Sequence, residues 1–421
     1  MTIDADRLRH DLQTLAGFGA TPEGGVSRPS FSPADRDARR WVAGRCEQAG
    51  LAYREDAAGN VFIRVEAQHP IDDRTVWTGS HLDSVPNGGP LDGALGVMAS
   101  LEVVRALKES AAPLRRAVEA VAFTDEEGAY LGFLGSRAAI DGLGAGQLDA
   151  VRGRDGDRLV EAMAAAGYPP SALPDARVDP ARIAAYVELH IEQGAVLEQL
   201  GRTIGLVTHI VGVGRGSVVF EGRADHAGTT PMHLRRDAMR GAAALLTELP
   251  ALPAAVGAPD AVVTCGRIDV DPGADNIVPE RVHLHLDIRD RDRGTIEAIE
   301  AELRARAARH AHDHGLRATY HRSSLTDPVP LHPRLQRYVA QAAESAGLAY
   351  HVMPSGAGHD AQVVAAAVPT GMLFVPSAGG RSHSPQERTR FEDIAAGTRV
   401  LYDVVRRLAT DEHPPSSPAP S

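Results

Sequence analysis

The chain has 421 residues, 43% of them hydrophobic and 24% charged, a balance typical of folded globular protein and far from that of disordered or membrane-embedded chains. At this length two domains are expected, because a single core rarely keeps growing beyond about 250–300 residues. The net charge of −11 and the lack of Lys/Arg blocks leave no basic stripe to track a phosphate backbone, which argues against nucleic acid as a partner.

The opening MTIDADRLRHDLQ has early acids and no apolar leader core, and no later run reaches the length of a membrane span. A cytoplasmic protein without membrane contact is expected. SFSPADRDARRWVAGRCEQAGL predicts a helix with Ser32 as N-cap, Pro33 at its first position and Asp35 in its first turn, ending near Gly50. After the short β-rich NVFIRVEA come two apolar strand candidates, RTVWTGS (74–80) and RAVEAVAFT (116–124), with the helix-like LGVMASLEVVRALKE between them. ARIAAYVEL (181–189) and PTGMLFVP (369–376) are further strands of the same kind. Such alternation predicts an α/β fold with a mostly parallel central sheet and helices on both faces.

From about Val211 the pattern changes. GSVVFEGRA, an Ala/Leu-rich helix around 236–249, AVVTCGRIDV, RVHLHLDIRD and a helix around 294–314 describe a smaller α+β unit of βαββαβ type. Core-like sequence resumes near Leu331, so the larger domain is expected to be discontinuous. Its parts are residues 1–210 and 330–411, with an inserted domain at 211–329 and a Pro/Ser-rich disordered tail at 412–421. In RVHLHLDIRD, Val282, Leu284, Leu286 and Ile288 should line one strand face and His283, His285, Asp287 and Arg289 the other. His283 and His285 are read as a solvated face with a cross-strand ion pair. VGVGRG lacks a nucleotide-binding context and is read as a chain reversal between the domains.

Each core strand candidate is followed by potential ligands: GSHLDSVPNGGPLDG, DEEG, HIEQG and GGRSHSP. Ligands in open α/β sheets bind beyond the carboxyl ends of the strands, so these four sets can converge. His81 and Asp83 are two apart in an extended segment, and Gly88, Gly89 and Gly93 let the loop return Asp92 toward His81. His81, Asp92, Glu127, His190 and His383 make five N/O ligands. Cys46 and Cys265 form no CxxC motif, so neither a disulfide framework nor a cysteine zinc site is expected. Five such ligands suit two divalent metals sharing one carboxylate; zinc is the default, with manganese, cobalt or nickel compatible. If Glu127 is a ligand, Glu126 points to the other side of an extended backbone and is free to act as general base. RHAHDHG (His310, His312 and His314) falls at a helix end and is read as surface. No GxSxG elbow supports serine-hydrolase chemistry.

The sequence resembles the carbamoyl- and ureido-cleaving branch of the M20 metallopeptidase superfamily, which includes N-carbamoyl-L-amino-acid hydrolases, allantoate amidohydrolases and ureidopropionases. The resemblance runs along TPEGGVSRPSFSPADRDARRW, GSHLDSVPNGGPLDGALGV, DEEG with LGSRA, VELHIEQGAVLE, EGRADHAGTTPM with RRDA, GADNIVPE, LDIRD, SGAGHDA and FVPSAGGRSHSPQE. It implies one metal on His81 and His190, a second on Glu127 and His383, Asp92 bridging, Glu126 as base, and Asp83 orienting His81. It further implies that the inserted domain acts as a lid and homodimer interface. His226 would stabilise the oxyanion, in its own or the partner subunit's cleft. Asn276, Arg289 and Arg215 would hold the substrate carboxylate, while Gly356 and Gly358 line the site with backbone. The implied activity is hydrolysis of a ureido C–N bond in a small carboxylate-bearing substrate, an N-carbamoyl-L-amino acid or allantoate. The alternatives are an aminoacylase or dipeptidase of the wider superfamily and a catalytically inactive binding homologue. One departure concerns DEEG, which in many relatives precedes an Arg-Phe pair and a longer segment. Here the shorter AYLGF stands in that place, and pocket shape is expected to differ there.

Overall fold

The structure, a computed structural model, describes residues 3–110 and 113–411; the tail 412–421, read above as disordered, lies outside them. The chain divides into two compact units, Met1–Thr208 with Pro330–Ser421, and His209–Val329. Among the described residues the strands in chain order are β1 (Ala52–Glu55), β2 (Val61–Val65), β3 (Thr75–His81), β4 (Ala117–Phe123), β5 (Ile183–Ile191) and β6 (Ile204–Ile210). There follow β7 (Gly212–Glu221), β8 (Val262–Asp271), β9 (Arg281–Asp290), β10 (Arg317–Thr326), β11 (Val329–Pro330), β12 (Tyr350–Ser355) and β13 (Thr370–Val375).

The larger sheet has the order β1-β2-β4-β3-β5-β13-β6-β11, with β12 pairing β6. Its centre, β4-β3-β5-β13, is parallel, and the strands outside it on either side, β2 and β6, are antiparallel to it. Every residue of those four central strands is buried, as expected of strands covered on both faces. β5 shows the two coverings directly. A Cβ on Gly397 of the helix Phe391–Thr410 would press on Val375 and Leu189, whereas Ala361 of the helix Asp360–Val364 donates to the carboxylate of Glu188. Consecutive strand residues face opposite sides, so helices lie on both. The helix Pro33–Gln48 begins as its sequence predicts, with Ser32 Oγ accepting from Asp35 N–H.

The second unit is an antiparallel sheet of order β10-β7-β9-β8. Val282, Leu284, Leu286 and Ile288 on one face of β9 pack with Leu245, Ile296, Ile299 and Leu303 from two helices. VGVGRG is not a chain reversal: after Val211 it runs along β7 from Gly212, paired to β9 and β10. Its glycines answer to packing rather than turning, since a Cβ on Gly214 would come within 2.6 Å of Ile296 and one on Gly216 within 2.5 Å of Tyr320 Oη. In RHAHDHG, His312 is exposed, but His310 is packed 3.2 Å from Glu248 rather than solvated.

Candidate metal centre

Four strand ends, those of β3, β4, β5 and β13, carry the loops that meet at one place in the first unit. His81 closes β3 and His190 lies near the end of β5. His81 Nδ1 donates to the main-chain carbonyl of Asp83 at 3.0 Å, and His190 Nδ1 to that of Ile191 at 2.9 Å. Each ring therefore presents Nε2 as an unprotonated acceptor, and Gly93 N–H donates to that of His190 at 3.2 Å. Both nitrogens point at Asp92 Oδ1, 3.7 Å from His81 and 3.2 Å from His190. The other oxygen, Oδ2, faces His383 Nε2 at 3.2 Å, and that nitrogen lies 3.4 Å from Glu127 Oε1. Two clusters result, His81 with Asp92 and His190, and Asp92 with Glu127 and His383, sharing one carboxylate through its two oxygens.

These residues fit a pair of divalent ions. Two ligand atoms about 2.0–2.1 Å from a tetrahedral ion lie roughly 3.3 Å apart, near the spacing here. Imidazole nitrogens this close to carboxylate oxygens need a proton or a metal cation between them: Asp92 raises His383 to about 9, and also His190 to about 9 despite its burial, so a metal ion would bind in place of those protons. Glu127 Oε1 is buried with no hydrogen-bond partner. Burial raises Glu127 to about 7, with the Asp92 charge adding to the effect, and it raises Glu126 well above the usual carboxylate range, aided by Asp360 and Glu127. Asp92 is held well below that range despite its burial, by His190 and His383. A divalent cation offsets this crowding of negative charge.

The carboxylates of DEEG are arranged differently from an alternating extended strand. Asp125 adopts a left-handed conformation, φ +57, and Glu126 and Glu127 form a turn. The Asp125 carboxylate accepts from the N–H groups of Ala129, Tyr130 and Leu131, folding the AYLGF segment back on itself. Asp83 does not orient His81 through its carboxylate, which stands 3.8 Å from Nδ1; that carboxylate accepts instead from the N–H groups of Glu126 and Glu127. The turn splays the two side chains. Glu127 goes to His383, and Glu126 Oε2 lies 3.7 Å from His81 Nε2.

Several supporting residues had no role assigned from sequence. Gln193 and Ser382 both donate to Asp92 Oδ2 at 2.8 Å, and Glu387 accepts from Leu91 and Asp92 N–H. Ser382 and Glu387 flank the candidate ligand His383 within RSHSPQE, residues 381–387. Glu188, beneath His190, is satisfied by Ser80, Tyr186 and Ala361. His359 bonds Ser355 Oγ through Nε2 and stacks edge-on against His190, so it holds a loop. A Cβ on Gly358 would lie 2.9 Å from Phe133, which ties SGAGH to the end of AYLGF, whereas one on Gly356 would meet nothing.

The remaining residues singled out from sequence lie in the second unit. His226 Nδ1 accepts from Gly228 and Thr229 N–H, so its proton sits on Nε2; Asn276 is alongside, accepting from Ala227 N–H. Arg289 donates to Asp287 at 2.6 and 3.3 Å, and Arg215 reaches the same carboxylate at 3.4 Å.

Residues 77–407 match the model of peptidase family M20/M25/M40. The chain belongs to this family. Among M20 relatives, it is 42% identical over 412 residues to an N-carbamoyl-L-amino acid amidohydrolase of Geobacillus stearothermophilus, covering 97% of this chain and 100% of the relative. It is 37% identical over 410 residues to an allantoate amidohydrolase of Bacillus subtilis, covering 94% and 96%. A solved hydantoinase/carbamoylase family amidase from Burkholderia ambifaria superposes with TM-score 0.88 at 35% identity, covering 96% and 97%. No helix among the described residues is long and apolar enough to cross a membrane.

Proposed function

We propose that this M20 protein is an amidohydrolase that cleaves the ureido C–N bond of N-carbamoyl-L-amino acids. The observation that carries the reading is the pair of ligand clusters sharing Asp92 with the Glu126 carboxylate beside them, in a chain that matches N-carbamoyl amidohydrolases along almost all its length. His81 and His190 would hold one ion, Glu127 and His383 a second, and Asp92 both; zinc suits the donors, as do manganese, cobalt and nickel. Such ions supply Lewis-acid polarisation of the carbamoyl group and make water more acidic.

Glu126 takes the proton from the attacking water as its oxygen adds to the carbamoyl carbon, then delivers it to the departing nitrogen. The products are the free amino acid and carbamate, which decomposes to CO2 and ammonia. His226, with its proton on Nε2, is suited to donate a hydrogen bond to the developing oxyanion. Arg289, with Asn276 and Arg215, is assigned the substrate carboxylate, for which Arg289 would exchange its bond to Asp287. A homodimer through the second unit is supported by the edge strand β8, which exposes Val262 and Ile268. Light scattering of the purified chain tests it.

A cavity of about 250 Å³ beside Glu127 is lined by Phe31, Val85, Pro86 and Tyr130, with Arg154 and Asp157 among its polar groups. Tyr130 belongs to the shortened AYLGF segment. An apolar side chain fits such walls better than the second ureido group of allantoate. The test is a panel of N-carbamoyl-L-amino acids, allantoate, ureidoglycolate, β-ureidopropionate and N-acetyl amino acids, scored for ammonia and free amine. N-Carbamoyl amino acids with apolar side chains are expected to turn over best. Turnover of the acetyl substrates alone would sink the ureido reading, and a preference for allantoate would sink the assignment within it.

A further inference from the structure

We propose a second, separate metal site in the second unit, formed by Asp269, His283 and His285, that takes one late first-row divalent ion such as zinc, nickel or copper. The site follows from strand periodicity. His283 and His285 are two apart on β9, where the alternate residues Val282, Leu284 and Leu286 are committed to the core, so both imidazoles emerge on the face opposite the unit's own helices. Their rings stand side by side, centroids 4.4 Å apart. On the neighbouring strand β8, Asp269 is in register with His283 and reaches diagonally to His285 Nε2 at 2.8 Å. One nitrogen from each histidine and one oxygen of Asp269 all lie within 4.8 Å of one another.

A second observation marks the cluster as more than an ion pair. His283 Nε2 is shielded from solvent and has no hydrogen-bond partner, an uncompensated polar atom within a strand otherwise satisfied on both sides. An ion held through that nitrogen would satisfy it. Two imidazoles and a carboxylate without cysteine are a donor set for zinc, nickel or copper, with water completing the shell. The groups facing the cluster include Arg267, which pairs with Asp269 at 2.7 and 2.9 Å. One of those bonds, to Oδ1, keeps the carboxylate oriented while Oδ2 turns to the ion. RHAHDHG, the more conspicuous histidine tract, forms no such cluster among the described residues.

The site has a mechanical meaning. β8 is an edge strand, its register broken between Cys265 and Arg267, and an ion shared by Asp269 and the two histidines would staple it to β9 just beyond that irregularity. The test uses the full chain with zinc alone. Wild type, His283→Ala, His285→Gln and Asp269→Asn are dialysed to equilibrium at a series of free zinc concentrations, and bound zinc is measured per chain. All three side chains are half-buried and lie outside the core cluster of the unit, so circular dichroism and hydrolytic turnover should match wild type. Each variant is expected to bind one equivalent fewer, and added zinc should raise the melting temperature of zinc-saturated wild type above that of the variants. Equal zinc content in wild type and all three variants across the series would overturn the proposal, as would loss of the same equivalent together with hydrolytic activity.

Discussion

Gly93 precedes the helix Ala94–Glu109 with φ +62, directly against the His81 ring. In Gly93→Ala the new Cβ would lie 2.3 Å from Cε1 and 2.4 Å from both ring nitrogens. Ordinary carbon contacts are about 3.5–4.0 Å, so the imidazole must retreat by about 1 Å or more. That movement breaks the Nδ1 bond to Asp83 and carries Nε2 away from Asp92 Oδ1. Misplacement by about 1 Å at a reacting centre costs on the order of 10²-fold in rate. The left-handed backbone adds about 1–2 kcal/mol of destabilisation whatever the clash. Gly347→Ala separates the two effects, because Gly347 has φ +67 and nothing within 4 Å of a new Cβ. We expect Gly93→Ala to lose about a hundredfold in kcat and to retain less bound metal, measured by ammonia release and elemental analysis. Gly347→Ala should lose only stability. Wild-type metal content and kcat in Gly93→Ala, or equal losses in both variants, would refute the assignment of His81 to the metal.

Glu126→Gln should keep its metal and lose about 10²–10⁴-fold in kcat, since it removes the proton acceptor and leaves the ligand clusters intact; near-normal turnover would show the base to be misassigned. His226→Ala should lower kcat about 10²–10³-fold with little change in KM, as expected for a donor that acts on the transition state. Arg289→Ala should do the reverse, raising KM by roughly one to two orders of magnitude through loss of a charge-assisted pair worth about 1.5–3 kcal/mol. Exhaustive chelation should abolish activity and lower the melting temperature, with zinc or manganese restoring both; full activity in metal-free protein would remove the basis of the reading.

The two candidate ligand clusters were legible because their residues lie at the ends of buried apolar strands or in the loops that follow, and four such ends agreed on one donor chemistry. The helix start at Ser32 was legible for a local reason, a side chain bonding three residues ahead. What escaped was set by contacts distant in sequence or by backbone conformation. Glu387 holds the Asp92 loop from 295 positions away, and no local pattern announces it. Asp83 looked like a partner for His81, but its carboxylate serves the Glu126–Glu127 turn, which exists because Asp125 takes a left-handed conformation. VGVGRG suggested a bend because glycine permits one. Its glycines instead make room for Ile296 and Tyr320, whose positions depend on how the second unit packs.

The order of strands in the larger sheet sets a timetable for synthesis. β13 lies between β5 and β6, yet β6 ends at Ile210 and β13 begins only at Thr370. At about 5–20 residues per second the ribosome needs roughly ten to thirty seconds to cover that interval. Until Val329 is reached β6 lacks every neighbour it will have, since β11, β12 and β13 all follow β10 in the chain. The cluster of His81, Asp92 and His190 is complete on the nascent chain before this interval begins, whereas the cluster with Glu127 waits for His383. A chain arrested after the second unit would thus carry four of the five candidate ligands, lacking His383, and an open sheet edge, a state that a cell must guard against aggregation.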